Sequence, residues 1–132
     1  MENLAKTGHL KAEPFDKREF ESLVRSGRVR VRDATNPDLA DESRFDLAYN
    51  AAHSLALAAL RHHGYRSDSR YLVFQCLPHT LGVGPEVWRV LDHCHNRRNK
   101  AEYEGVIDIE SRLIDDLIIA TQAVLRALDT LR

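Results

Sequence analysis

One stretch constrains this chain more than any other. From Asp38 to about His63 it is dense in small and apolar residues: Leu47, Ala48, Ala51, Ala52, Leu55, Ala56, Ala58 and Ala59. Alanine has the highest intrinsic helix propensity, and a side chain of one carbon lets neighbouring helices approach closely. The stretch therefore predicts the longest helix of the chain, tightly packed by its neighbours. Asn36-Pro37 marks its start, a capping side chain followed by the imino acid favoured in a first helical turn. Gly64 is its expected stop.

The remaining segments follow the same 3.6-residue period. Asp16 is positioned to cap a first helix, with Glu19 returning the bond from the third helical position, and Phe20, Leu23 and Val24 form its apolar stripe. Arg28-Val29-Arg30-Val31-Arg32 alternates with period two, but no comparable strand lies nearby to pair with it, so the first helix is expected to continue through it. Ser69 to Leu77 predicts a short helix ended by Pro78, and Pro85 opens another that carries Val87, Leu91 and Cys94 and stops near Gly105. Asp108 is the expected cap of a last helix bearing Leu113, Leu117, Ala120, Val124, Leu128 and Leu131 at helical spacing. The expectation is an all-α fold, an up-and-down bundle of four long helices and one short one. Residues 1–13, polar and without periodicity, are expected to be a flexible tail, and residues 14–132 a single domain.

The charge balance narrows the functional classes. With 132 residues, 19 Lys plus Arg against 20 Asp plus Glu and a formal net charge of −1, the chain carries no bulk charge for indiscriminate polyanion binding. The sum hides a local asymmetry, because Arg89, Arg97, Arg98 and Lys100 lie close together, whereas Glu104, Asp108, Glu110, Asp115 and Asp116 follow as an acidic block. Cys76 and Cys94 have neither zinc-knuckle nor redox-pair spacing and read as small core residues in a reducing compartment. The longest uninterrupted apolar run, Leu55 to Leu60, is far short of the ~20 residues of a membrane span. A cytoplasmic protein without membrane contact, metal or cofactor is expected. His93 and His95 diverge on a helix, so with Cys94 they make no metal site within one subunit.

The segment that carries chemistry is His93-Cys94-His95-Asn96-Arg97-Arg98-Asn99-Lys100-Ala101-Glu102-Tyr103. On a helix, Val87, Leu91 and Cys94 step along one apolar line whose next places are Arg98 and Ala101. An arginine thus continues a core-facing stripe. Burying a guanidinium without a partner is costly, so Arg98 is expected to face a carboxylate such as Glu102, a subunit interface or an anion-holding cleft, or else to reach out to solvent from the helix end.

The run Arg97-Arg98-Asn99-Lys100-Ala101-Glu102-Tyr103 resembles the signature of HEPN domains, in particular the branch reading Arg-Asn-x-Ala-(Asp/Glu)-Tyr. The resemblance spans roughly residues 16–131, though only this short run is specific to it. It implies a helical bundle that forms a homodimer with these helices facing one another, and a pairing with a small nucleotidyltransferase or a toxin–antitoxin partner. In ribonuclease members an arginine and a polar neighbour grip phosphate and a histidine four to six residues later moves protons. Arg98 and Asn99 match the grip, while the histidine's place holds Tyr103. With an ordinary pKa of about 10, tyrosine is a poor general base near neutral pH, where histidine, near 6.5, is suited to the task.

The resemblance therefore implies a non-catalytic or degenerate module binding RNA or a nucleotide phosphate through Arg97, Arg98, Asn99, Lys100 and Tyr103. Two alternatives stand beside it. One is a metal-independent RNA endonuclease in which Arg98 works with Tyr103 or His95; the other is a purely structural helical adaptor. Arg89 and His95 also satisfy the arginine–histidine spacing, but residues six apart on a helix point about 120° from each other. His53 reads as a surface or core-edge residue, Trp88 as a core or interface anchor, and Arg25, Arg28, Arg30 and Arg32 as a solvated face able to widen a positive groove.

Overall fold

In a computed structural model of the chain, residues 9–104 and 110–131 are described, with residues 101–104 described by their backbone alone. The fold is all-α apart from one two-residue strand pair. In chain order the elements are β1 (Lys11–Ala12), α1 (Lys17–Ala34), α2 (Asp41–His62), β2 (Tyr65–Arg66), α3 (Arg70–Gln75), α4 (Leu77–Thr80), α5 (Pro85–Glu104) and α6 (Ser111–Asp129).

Helix α1 begins where its cap predicts. The Asp16 carboxylate accepts hydrogen bonds from the backbone N–H groups of Arg18 and Glu19 at 2.9 and 3.3 Å. The expected return bond from Glu19 is replaced, because that carboxylate turns to Arg61 and Arg66 instead. An ion pair with an otherwise buried guanidinium outweighs a second cap bond at an exposed helix end. The alternating arginine–valine run lies inside α1 as expected, with Val31 buried and Val29 facing solvent. The buried line is Phe20, Val24, Gly27, Val31 and Ala34.

Helix α2 starts three residues later than the Asn36-Pro37 signal suggests. Asn36 closes a local turn by accepting from the Asp38 N–H at 2.9 Å, so it caps that turn and leaves the helix to begin at Asp41. Buried residues occur around almost its whole circumference, as expected of a helix enclosed by neighbours. Helix α1 runs antiparallel to it: Phe20 meets His62 near one end, and the Arg44 Nε–H donates to the Ala34 carbonyl near the other. Helix α6 runs parallel to α2, with Ser111 bonded to Asp41 and Arg44 paired with Asp115. Helix α5 lies against α6 and α3. Gly64 ends the α2 region with a φ of 85°, a conformation that glycine adopts without steric cost.

Three further expectations are corrected. Residues 9–13 are not a loose tail: Leu10 is 2% exposed, β1 pairs antiparallel with β2, and the Glu13 N–H donates to the Gly64 carbonyl at 2.9 Å. The cause is Arg61, 1% exposed, whose N–H groups reach the carbonyls of Glu13, Pro14 and Tyr65 and the Glu19 carboxylate, clamping the segment onto the end of α2. Next, the helix after Ser69 stops at Gln75, and Pro78 lies within the first turn of α4, where its missing N–H costs nothing. Finally, α6 ends at Asp129, leaving Leu131 in a turn and 37% exposed. The expected stop at Gly105 and cap at Asp108 lie outside the described residues.

Candidate functional site

The basic helix α5 divides its predicted ligand residues between two sides. Val87, Leu91 and Cys94 are buried as their spacing requires, and the next place on the line, Arg98, is half-buried. Its guanidinium carbon stands 4.7 Å from the centre of the Tyr49 ring on α2. A guanidinium over an aromatic face is attracted by the ring quadrupole. The sequence suggested a carboxylate, an interface, an anion-holding cleft or a reach to solvent for Arg98. The aromatic face was not among them.

Tyr49 organises this end of the bundle. It is 1% exposed and stacks with the His95 ring at a centroid separation of 6.2 Å. Its hydroxyl oxygen lies 2.8 Å from His95 Nδ1, and the Asn99 side-chain N–H donates to His95 Nε2 at 3.1 Å. Because Asn99 donates to Nε2, the proton of a neutral His95 resides on Nδ1 and is donated to Tyr49. Burial pushes the Tyr49 phenol above its ordinary pKa, while the Arg70 and Arg98 guanidinium groups pull the other way. Tyr49 is thus a protonated fixture beneath two cations. His95 is 8% exposed and has both ring nitrogens engaged.

The second cation comes from α3. Arg70 stands 5.5 Å from the Tyr49 ring centre and donates to the Asn50 side-chain oxygen at 3.1 Å. Among the described residues it makes no ion pair. His53, one turn beyond Tyr49 on α2, has its pKa lowered to about 4 by burial first, then by the charges of Arg70 and Arg98, and last by His95 once that ring is itself protonated. It is therefore neutral near pH 7. Tyr71, half-exposed, adds an aromatic ring 6.2 Å from that of His95.

The other predicted ligand residues lie elsewhere. Arg97 lines a groove between α5 and α6 with His93, Glu110, Arg112 and Asp116, where acids accompany the bases. Lys100 is exposed. The Tyr103 side chain lies outside the described residues, as does that of Glu102. Arg89 sits over the neighbouring Trp88 ring at 5.4 Å. Arg28 pairs with Asp129 at 2.7 Å, and Arg32 approaches Asp33, whereas Arg30 turns towards a groove shared with Asn50, His53 and Arg70. A concavity of about 610 Å³ runs along α1 and, among the described residues, brings no second element to bear, so it is a furrow rather than a built site.

Cys76 and Cys94 are buried free thiols, and burial pushes Cys94 up to about 12. Among the described residues no three His, Cys, Asp or Glu side chains gather as metal ligands, and no helix is long and apolar enough to cross a membrane. Sequence reasoning missed Tyr49, Asn50 and Arg70, and it gave His53 no role. The usable signal was Arg70, a cation at the start of a short apolar helix. No protein-family model, curated protein or solved structure matches the chain.

Proposed function

We propose that this protein is a HEPN-like module that binds the phosphate of RNA or of a nucleotide at the Arg70–Arg98 pair and does not cleave it. One observation carries this reading: two arginines from different helices converge on a single buried tyrosine. The aromatic base holds both cations at one place in the fold, and such a pair suits an oxyanion accepting charge-assisted hydrogen bonds. The long basic helix followed by an apolar last helix agrees with the resemblance carried by Arg98 and Asn99. His95, with both ring nitrogens occupied, supports binding over proton transfer. In this reading two copies pair, and the partner is a small nucleotidyltransferase or a toxin–antitoxin component.

The test is a binding titration of purified protein with fluorescent oligouridylate and with nucleoside monophosphates at low salt. Arg98→Gln and Arg70→Gln are each expected to weaken binding about tenfold, the scale of one hydrogen bond to a charged group. Unchanged affinity in both variants would reject the site. Incubation with labelled RNA in EDTA completes the test: cleavage by the wild type that disappears in Arg98→Gln would replace binding by catalysis. Sedimentation of the wild type reads the pairing of two copies directly.

A further inference from the structure

The Arg70–Arg98 pair does not stand alone. On the other side of Arg70, between α1, α2 and α3, lies an open groove of about 320 Å³ whose lining includes Ser26, Arg30, Asn50, His53, Ser54 and Arg70. No acidic residue lines it among the described residues. Arg30 is exposed, is held by a hydrogen bond to Ser26 one turn earlier, and makes no ion pair among the described residues. Other cations nearby on α1 find carboxylates, Arg28 with Asp129 and Arg32 with Asp33. Arg70 belongs both to this groove and to the Tyr49 platform, so the two form one continuous cationic track. Beside that track Tyr71 exposes half of its surface, an aromatic face of the kind on which a nucleobase stacks.

We propose that this groove is a second phosphate subsite and that the ligand is a single-stranded oligonucleotide. One phosphate is held by Arg98 and Arg70, the next by Arg30 at the groove, and a base stacks on Tyr71. The inference rests on the phosphate-binding reading above and adds the number of phosphates and the class of ligand. A free mononucleotide would leave Arg30 unused. An acidic peptide would satisfy the cations but would gain nothing from Tyr71.

The experiment measures anisotropy of fluorescein-labelled pentauridylate, with uridine monophosphate and penta-aspartate as competitors, across a salt series. The wild type is expected to prefer pentauridylate to uridine monophosphate by at least about tenfold. Arg30→Gln should remove most of that preference while leaving uridine monophosphate affinity unchanged. It should also lower the slope of log affinity against log salt by about 0.7, the value of one phosphate contact on a single strand. Arg30→Lys should restore the slope, and Tyr71→Ala should weaken pentauridylate about tenfold.

If Arg30→Gln matches the wild type in affinity and slope while Arg98→Gln weakens binding, the second subsite is wrong and the single phosphate site stands. Equal affinity for the mononucleotide, or competition by penta-aspartate as effective as that by pentauridylate, overturns the oligonucleotide assignment. If neither uridine ligand binds, this inference and the phosphate reading fall together.

Discussion

The Tyr49 hydroxyl and His95 Nδ1, 46 positions apart in the chain, meet at 2.8 Å in the interior and tie the central helix to the basic one. The bond sits beneath the arginines, so it fixes the platform on which they rest. Tyr49→Phe keeps the ring but strands a buried imidazole nitrogen, which should cost about 1–3 kcal/mol. Asn99→Ala exposes the opposite nitrogen at a site open to water and should cost well under 1 kcal/mol. Urea unfolding of the two variants checks the contrast, and equal costs would contradict the assignment of the buried bond.

Gly27 on α1 illustrates how closely the helices approach. A methyl group added there would meet Leu55 Cγ and Cδ2 at 2.5 Å, and Leu55 is wholly buried. Replacing a mid-helix glycine by alanine ordinarily gains about 1 kcal/mol of helix propensity. Overpacking a side chain that cannot move costs about 1–3 kcal/mol, so Gly27→Ala should be destabilising on balance. Gly84→Ala meets only the carboxylate end of exposed Glu86 and should be close to neutral. Thermal unfolding of both variants separates a true close contact from a general effect of removing glycine.

These two cases show what the residues alone could and could not reveal. Periodicity located the long helices because each has to bury a stripe, and the alanines of α2 announced close packing without naming Gly27 or Leu55. Arg98 was legible as an anomaly on an apolar line. Its partner was not, since Tyr49 looks like any aromatic in a helix until two helices are docked. The clamp around Arg61 was hidden for the same reason: its acceptors are mostly backbone carbonyls, which every residue except its order in space shares. The turn at Asn36 misled because a capping asparagine serves a turn as readily as a helix.

Arg61 should be among the most sensitive positions outside the candidate site. Its Nε–H donates to Glu19 at 2.5 Å, and its remaining N–H groups hold three carbonyls. Breaking a buried pair by deleting one partner costs about 3–5 kcal/mol. Arg61→Ala is therefore expected to lower stability by that amount and to release the strand pair, read as faster hydrogen exchange at the Glu13 amide, which is bonded to Gly64. Retained protection at that amide would show that β1 is held by its own pairing and by Leu10.

His53 makes stability depend on pH in a window set by its own shift. Its pKa is lowered from 6.5 to about 4 in the folded protein by burial, Arg70, Arg98 and His95. Between those values the unfolded chain takes up a proton that the folded chain refuses, so stability falls as pH falls from about 6.5 towards 4 and this contribution levels off below. Solvent reaching the half-buried ring limits the effect to about 1–2 kcal/mol. Glu13 and Glu19 act in the same direction but lower down: their arginine partners depress both below 4.5, so their contribution is lost only as pH falls through those depressed values. The interval from pH 6.5 to 5 thus separates His53 from Glu13 and Glu19, and the His53→Gln comparison separates it from the other histidines. Urea midpoints of the wild type should fall across it, and those of His53→Gln should fall by visibly less. Parallel curves for the two proteins would place the acid sensitivity elsewhere and remove the evidence that Arg70 and Arg98 hold this histidine neutral.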